Sequence, residues 1–170
     1  MAKKSAQYVL DTSVLTQAHR VYYPFDIAPP FWSFLIKAAK TNNIISIDRV
    51  SDEILKGNDK LASWVKNDFS FAFEDTKNNS KVLTSYASLM QWANNQTQYT
   101  QAAKNEFARA ENADAWVIAF AMSKSCTLVT QEVFKKEIKR KIPIPNVCKV
   151  FNIDYIDTFK LLRELDFKFS

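Results

Sequence analysis

Apolar and polar positions along this chain switch repeatedly between two periods. Four short runs of β type, at 8–11, 43–47, 127–130 and 147–151, are apolar and too brief to read as helices. Between them the spacing turns helical. Ser13 stands where a helix can begin, with Val14, Leu15 and Ala18 as a short apolar face. Phe31, Phe34, Leu35 and Ala38 predict a helix over about 31–41, with Pro30 suited to its first turn. Further helices are expected over 49–56, 60–67, 78–95, 98–110, 113–123 and 154–165. Residues 20–30, with Pro24, Pro29, Pro30 and three aromatics, predict an ordered loop, and 69–73 a short aromatic segment. Strands alternating with helices argue for a single α/β domain over 1–170, built on a mainly parallel central sheet of four to five strands.

Certain polar residues interrupt this pattern at marked places. Asp11 closes the first run and precedes the hydroxyls of Thr12 and Ser13; in an open parallel sheet that end of a strand faces the crevice where ligands bind. Glu132, just past 127–130, holds the equivalent place. Glu53 shares a helix face with Val50, Ile54 and Gly57 and is the odd residue on it, a partly exposed boundary position being the alternative. Asp114 follows the candidate N-cap Asn112 and shares its face with Val117, Ile118 and Ala121. It either looks inward or complements the helix dipole. Asp48 and Asp154 read as N-caps, and Gly57 as a helix C-terminal cap.

Scarcities narrow the chemistry further. A single glycine, Gly57, excludes Gly-rich phosphate loops, and a single histidine, His19, removes two-histidine zinc motifs and leaves little room for a Ser-His-Asp hydrolase. Cys126 and Cys148 are too far apart for a CxxC zinc site and read as buried apolar residues. Carboxylates, lysines and hydroxyls remain. No apolar run approaches the roughly 18 residues of a membrane span, and residues 1–6 form a lysine-bearing lead-in without the apolar core of a signal peptide, so a cytoplasmic protein is expected. The net charge of +5 permits a polyanionic partner. Part of it lies in a basic stretch of Lys135, Lys136, Lys139, Arg140 and Lys141, broken by Glu137, for which a solvated helix face and a phosphate-contacting patch are both open.

In a right-handed α/β arrangement Asp11, Glu53, Asp114 and Glu132 can meet at one crevice. Four carboxylates so close would repel, and a divalent cation relieves the repulsion; oxygen-only ligation favours Mg²⁺ or Mn²⁺ over zinc. Thr12, Ser13 and Thr130 are placed to orient ligands or water around it.

The order of these motifs resembles the PIN-domain nucleases. Leu10-Asp11-Thr12-Ser13 ends the first strand, Arg49-Val50-Ser51-Asp52-Glu53-Ile54 follows the second, Ala113-Asp114-Ala115-Trp116-Val117-Ile118-Ala119 opens an apolar helix, and Val129-Thr130-Gln131-Glu132 ends a third run. The sequence looks most like a compact bacterial PIN-like branch in which Val-Thr-Gln-Glu is followed by Ile-Pro-Asn-Val-Cys, here 144–148. The resemblance implies a three-layer α/β/α fold and a Mg²⁺- or Mn²⁺-dependent endoribonuclease that cuts single-stranded RNA with water as nucleophile. Asp11 and Asp114 would be its main ligands, with Glu53 and Glu132 completing the site or positioning water, and Lys135, Lys136, Lys139 and Arg140 contacting nucleic acid. For many small VapC-like bacterial members it further implies a toxin neutralised by an antitoxin protein, with room for a homodimer. One departure is Glu132, where the family usually carries Asp.

Two other readings compete. One is a PIN-like binding module for RNA or protein whose acids hold no metal. The other, a phosphotransfer enzyme with Asp11 as nucleophile, is disfavoured because that chemistry generally wants a second Asp where Ser13 stands.

Overall fold

A computed structural model describes residues 7–169 of the chain; the lead-in at 1–6 lies outside them. Among the described residues, β1 (Tyr8–Leu10), β2 (Ile44–Ile47), β3 (Phe73–Glu74), β4 (Thr127–Val129) and β5 (Tyr155–Ile156) form one wholly parallel sheet in the order β3-β2-β1-β4-β5. The inner strands β1 and β2 are buried at every residue, as strands covered on both faces must be. Ser46 is the polar exception, and its hydroxyl donates to the Leu10 carbonyl at 2.7 Å.

The connections run in two directions. β1 leads through α1 (Thr12–Gln17) and α2 (Pro29–Lys40) to β2, and β2 through α3 (Asp48–Leu55) and α4 (Lys60–Trp64) to β3. The chain then returns through α5 (Ser80–Asn94), α6 (Gln101–Phe107) and α7 (Ala113–Lys124) to β4, and through α8 (Ile144–Phe151) to β5, ending in α9 (Thr158–Glu164). Right-handed crossovers put opposite directions of travel on opposite faces of the sheet, which gives the three layers expected. The reversal falls between β1 and β4, so the crevice opens at their C-terminal ends. Leu10 pairs with Val129, and Asp11 and Thr130 therefore leave the sheet side by side.

Helix α7 is apolar nearly all round, as an enclosed helix should be, with Ala113, Ala115, Trp116, Val117, Ile118 and Phe120 buried. It touches β1, β2 and β4 as well as α3, α5 and α8. Trp116 ties two of these helices to it. The Tyr86 ring of α5 stacks on the indole at 3.8 Å between centroids, and the Arg49 guanidinium of α3 lies 4.1 Å over it. These contacts set α3, and with it Glu53, relative to the start of α7.

Several sequence expectations are corrected. Residues 147–151 form helix α8, not a strand: Pro145 suits the first helical turn, the buried Ile144, Val147 and Cys148 fall on one side, and Asn152 ends the helix at φ 56°. The final strand is instead β5, within what was expected as the start of the last helix, and Asp157 rather than Asp154 caps α9, accepting from Lys160 N at 2.8 Å. Asp48 is the first residue of α3, not its N-cap. Beyond α3 the left-handed residue is Asn58, at φ 47°, and not Gly57. The short edge strand β3 lies at the end of the aromatic segment. Residues 18–22 and 65–69 continue α1 and α4 as wide π turns. The basic stretch is not a helix. Its backbone is tied from outside: Gln98 Nε2 donates to the Lys136 and Ile138 carbonyls, Thr100 N to that of Lys139, and Asn146 Nδ2 to that of Lys135. Cys126 and Cys148 are buried, as expected.

Candidate functional site

The site begins with the register of β1 on β4. Asp11 N donates to the Val129 carbonyl at 2.9 Å, a last ladder bond that carries the aspartate just past the sheet. Its side chain is 2% exposed. Oδ2 accepts from Ser13 Oγ at 2.7 Å and from Thr130 Oγ1 at 3.0 Å. Those hydroxyls are themselves fixed, Ser13 Oγ by Gln131 N at 2.9 Å and Thr130 Oγ1 by Glu132 N at 3.1 Å. Oδ1 has no partner among the described residues, and neither does the buried Thr12 hydroxyl. Burial raises the Asp11 pKa to about 6, partly offset by the Ser13 bond and reinforced by the charge of Glu132.

Asp114 enters from the far side of the crevice in the first turn of α7. Asn112 caps that helix, its Oδ1 accepting from Asp114 N at 3.0 Å. The Asp114 carboxyl is largely buried and raised well above the ordinary carboxylate range, first by burial and then by the charges of Asp11 and Glu132, with Glu53 adding less. The four carboxylates named from the sequence therefore share one electrostatic neighbourhood.

Their commitments differ. Glu53 Oε2 accepts from Ala113 N at 2.7 Å, holding the start of α7. Glu132 Oε2 accepts from Ile144 N at 2.8 Å, holding the start of α8. The other oxygen of Glu132 is bonded to the Lys141 ammonium. Among the described residues Glu132 has both oxygens engaged and Glu53 one, whereas Asp11 keeps Oδ1 without a partner and Asp114 has neither oxygen in a hydrogen bond; an orphaned buried carboxylate oxygen in the field of a second acid is the donor chemistry a hard divalent ion takes. These two residues fit a metal ion. Among the described residues, however, no three Asp, Glu, His or Cys side chains are grouped as ready-made metal ligands.

Lys141 belongs to the basic stretch read from the sequence as a solvated face or a phosphate-contacting patch, but its bond to an acid of the site was not legible there. It stood at the end of a basic run with no periodicity to aim it, and the loop that brings it back to Glu132 is shaped by distant partners, Gln98 and Thr100. Burial works against its charge, but the bond to Glu132 and the charges of Glu132, Asp114 and Asp11 outweigh that and raise its pKa. The other cations of the run, Lys135, Lys136, Lys139 and Arg140, are exposed.

The parallel sheet, its reversal point and the strand-end acid define the class: this is a PIN-like α/β fold. VapBC2 from Rickettsia felis, in a crystal structure bound to a DNA fragment from their promoter, aligns with a TM-score of 0.51 at 17% identity, over 88% of this chain and 97% of that one. VapBC-1 from nontypeable Haemophilus influenzae aligns with a TM-score of 0.48 at 14% identity, over 88% and 96%. Comparison with curated proteins finds no match. The chain belongs to the family described as Domain of unknown function (DUF4411), whose family model matches residues 8–169. Among the described residues no helix is long and apolar enough to cross a membrane.

Proposed function

We propose that residues 1–170 form one PIN-like unit acting in the cytoplasm as a Mg²⁺- or Mn²⁺-dependent endoribonuclease on single-stranded RNA, the toxin of a pair with an antitoxin protein. The observation that carries this is Asp11: a carboxylate 2% exposed at the reversal point of the sheet, with one oxygen held by two hydroxyls and the other without a partner. Burying an ionised carboxyl without a counter-charge is expensive, and such a group is retained where it has something to hold. Asp11 and Asp114 would bind the ion, which supplies polarisation of the phosphodiester and a lowered pKa for an attacking water. Ser13 and Thr130 hold Oδ2 of Asp11 and leave its buried Oδ1 free for the ion, and the N-terminal dipole of α7 steadies Asp114. The exposed Lys135, Lys136, Lys139 and Arg140 lie on the loop that carries Lys141 to the site, where they can contact the phosphates of a bound strand. The VapBC likeness is one of fold and leaves the antitoxin, RNA as the substrate and a homodimer as parts of this proposal.

Asp11→Asn keeps the hydroxyl bonds to one oxygen and removes the charge. It is expected to reduce Mn²⁺-dependent cleavage of single-stranded RNA by at least about 10²-fold, the scale of losing a principal electrostatic contributor, while far-UV circular dichroism stays that of the wild type. Full activity in the variant would refute the assignment. A second reading, a PIN-like module that binds RNA or protein without cutting, is favoured by one observation: Glu53 and Glu132 are already committed to helix ends and to Lys141. It predicts no saturable Mn²⁺ uptake in calorimetry.

A further inference from the structure

We propose that Lys141 is a built-in second cation of the acidic site, so that the site takes a single divalent ion where a two-ion nuclease would take a pair. The inference rests on the metal-dependent reading above and deepens it. Three features carry it. Lys141 is bonded to Glu132 Oε1, and Glu132 cannot swing away, because Ile144 N holds its other oxygen at 2.8 Å. Lys141 also walls two cavities, one of about 40 Å³ shared with Asp114 and Asn112 and one of about 210 Å³ shared with Gln131 and Glu132, which puts its side chain between the acid on α7 and the acid after β4. The loop delivering it is fixed in shape by Gln98 and Thr100 on one side and by Asn146 and Pro143 on the other.

Charge balance points the same way. Asp11, Asp114 and Glu132 bring three negative charges to the crevice, and the charge of Glu53, the smallest of the contributions felt at Asp114, is partly offset by the positive end of α7 to which it is bonded. One ammonium and one divalent ion neutralise the three. A second divalent ion would have to enter beside a fixed positive charge, on a carboxylate whose two oxygens are already engaged. An ammonium is a compact point charge with three donors, of which Glu132 takes one. The Lys141 side chain is 52% exposed, so its remaining donors can meet a non-bridging phosphate oxygen of a substrate. It supplies the electrostatic share of a second ion and none of its ability to acidify water.

Titrating Mn²⁺ calorimetrically into the full chain, with no nucleic acid present, reads this directly. The wild type is expected to take up one equivalent. Lys141→Met is expected to take up a second, or to bind the first at least about tenfold more tightly, the scale on which one adjacent charge moves a binding equilibrium. Lys141→Arg restores the charge and is expected to return the wild-type isotherm, which a merely structural role for the side chain would not require. Two equivalents in the wild type, or an unchanged isotherm in Lys141→Met with its circular dichroism intact, would overturn the inference and leave the metal-dependent reading standing. No saturable uptake by either protein would overturn both.

Discussion

At the scale of single residues, the energetics of Asp11 are the most exposed to test. An ordinary aspartate has a pKa of 3.8, and burial lifts this one to about 6. Between those values the folded chain holds a proton that the unfolded chain has released. Stability of the metal-free protein therefore falls as pH rises through that window, and the deficit is complete above it. Asparagine cannot ionise and escapes the deficit. In EDTA, Asp11→Asn should gain on the order of 3 kcal/mol over the wild type at pH 7 and little at pH 4, read from urea midpoints; equal midpoints at pH 7 would contradict the burial argument. Added Mn²⁺ should then raise the wild-type midpoint and leave the variant's nearly unmoved. Asp11 and Asp114 could be singled out from the sequence because each sits at the edge of an element whose pattern is unmistakable, a strand end and the first turn of an apolar helix. Lys141 could not, since its direction depends on partners about forty residues away in the chain.

At the scale of elements, two of the four acids serve as braces. Glu53 reaches from α3 to Ala113 N, and Glu132 from the end of β4 to Ile144 N, so each secures the start of a helix that borders the crevice. A carboxylate at a helix N-terminus is worth about 0.3–2 kcal/mol, with the upper part of the range for partly buried geometry. Glu53→Ala should thus lower stability by about 1–2 kcal/mol, visible as a Tm drop of several degrees, while Glu53→Gln keeps an acceptor for Ala113 N and recovers much of the loss. A Tm unchanged in Glu53→Ala would mean that the Trp116 stack with Tyr86 and Arg49 holds α3 on α7 unaided. The same long-range bracing explains why α8 was read as a strand. Val147, Cys148, Val150 and Phe151 make a short, almost wholly apolar run that reads as a strand, and the features that make the segment helical are Pro145 at its start and a carboxylate supplied by Glu132, twelve residues earlier. The strands β1, β2 and β4 and the helices α2, α3, α5 and α7 were legible because burial on both faces or on one face leaves a local record. Strands of two residues, β3 and β5, leave almost none.

At the scale of the whole molecule, the reversal of the sheet between β1 and β4 places one crevice where every candidate acid can be heard electrostatically, and the 131–143 loop closes one side of it. The net charge of +5 is unevenly used: Lys141 is bound inward to Glu132, whereas Lys135, Lys136, Lys139 and Arg140 stand in solvent on the same loop. Neutralising phosphates with exposed cations releases counter-ions, so affinity for a single strand should fall with salt, by about 0.7 in the logarithmic slope for each phosphate engaged. Replacing Lys135, Lys136, Lys139 and Arg140 together by Ala should flatten that slope by about 2–3 and weaken binding of an unstructured RNA oligomer. Mn²⁺ binding should change far less than in Lys141→Met, because none of the four is bonded to an acid of the site, although Arg140 shares a small cavity with Asp114. Fluorescence anisotropy across a salt series, with calorimetry of Mn²⁺ as the control, measures both. If the slope did not change, the strand would have to reach the crevice by another face. The groove of about 800 Å³ running from Thr130 past Tyr22 and Phe159 to Arg163 would then be the next to alter.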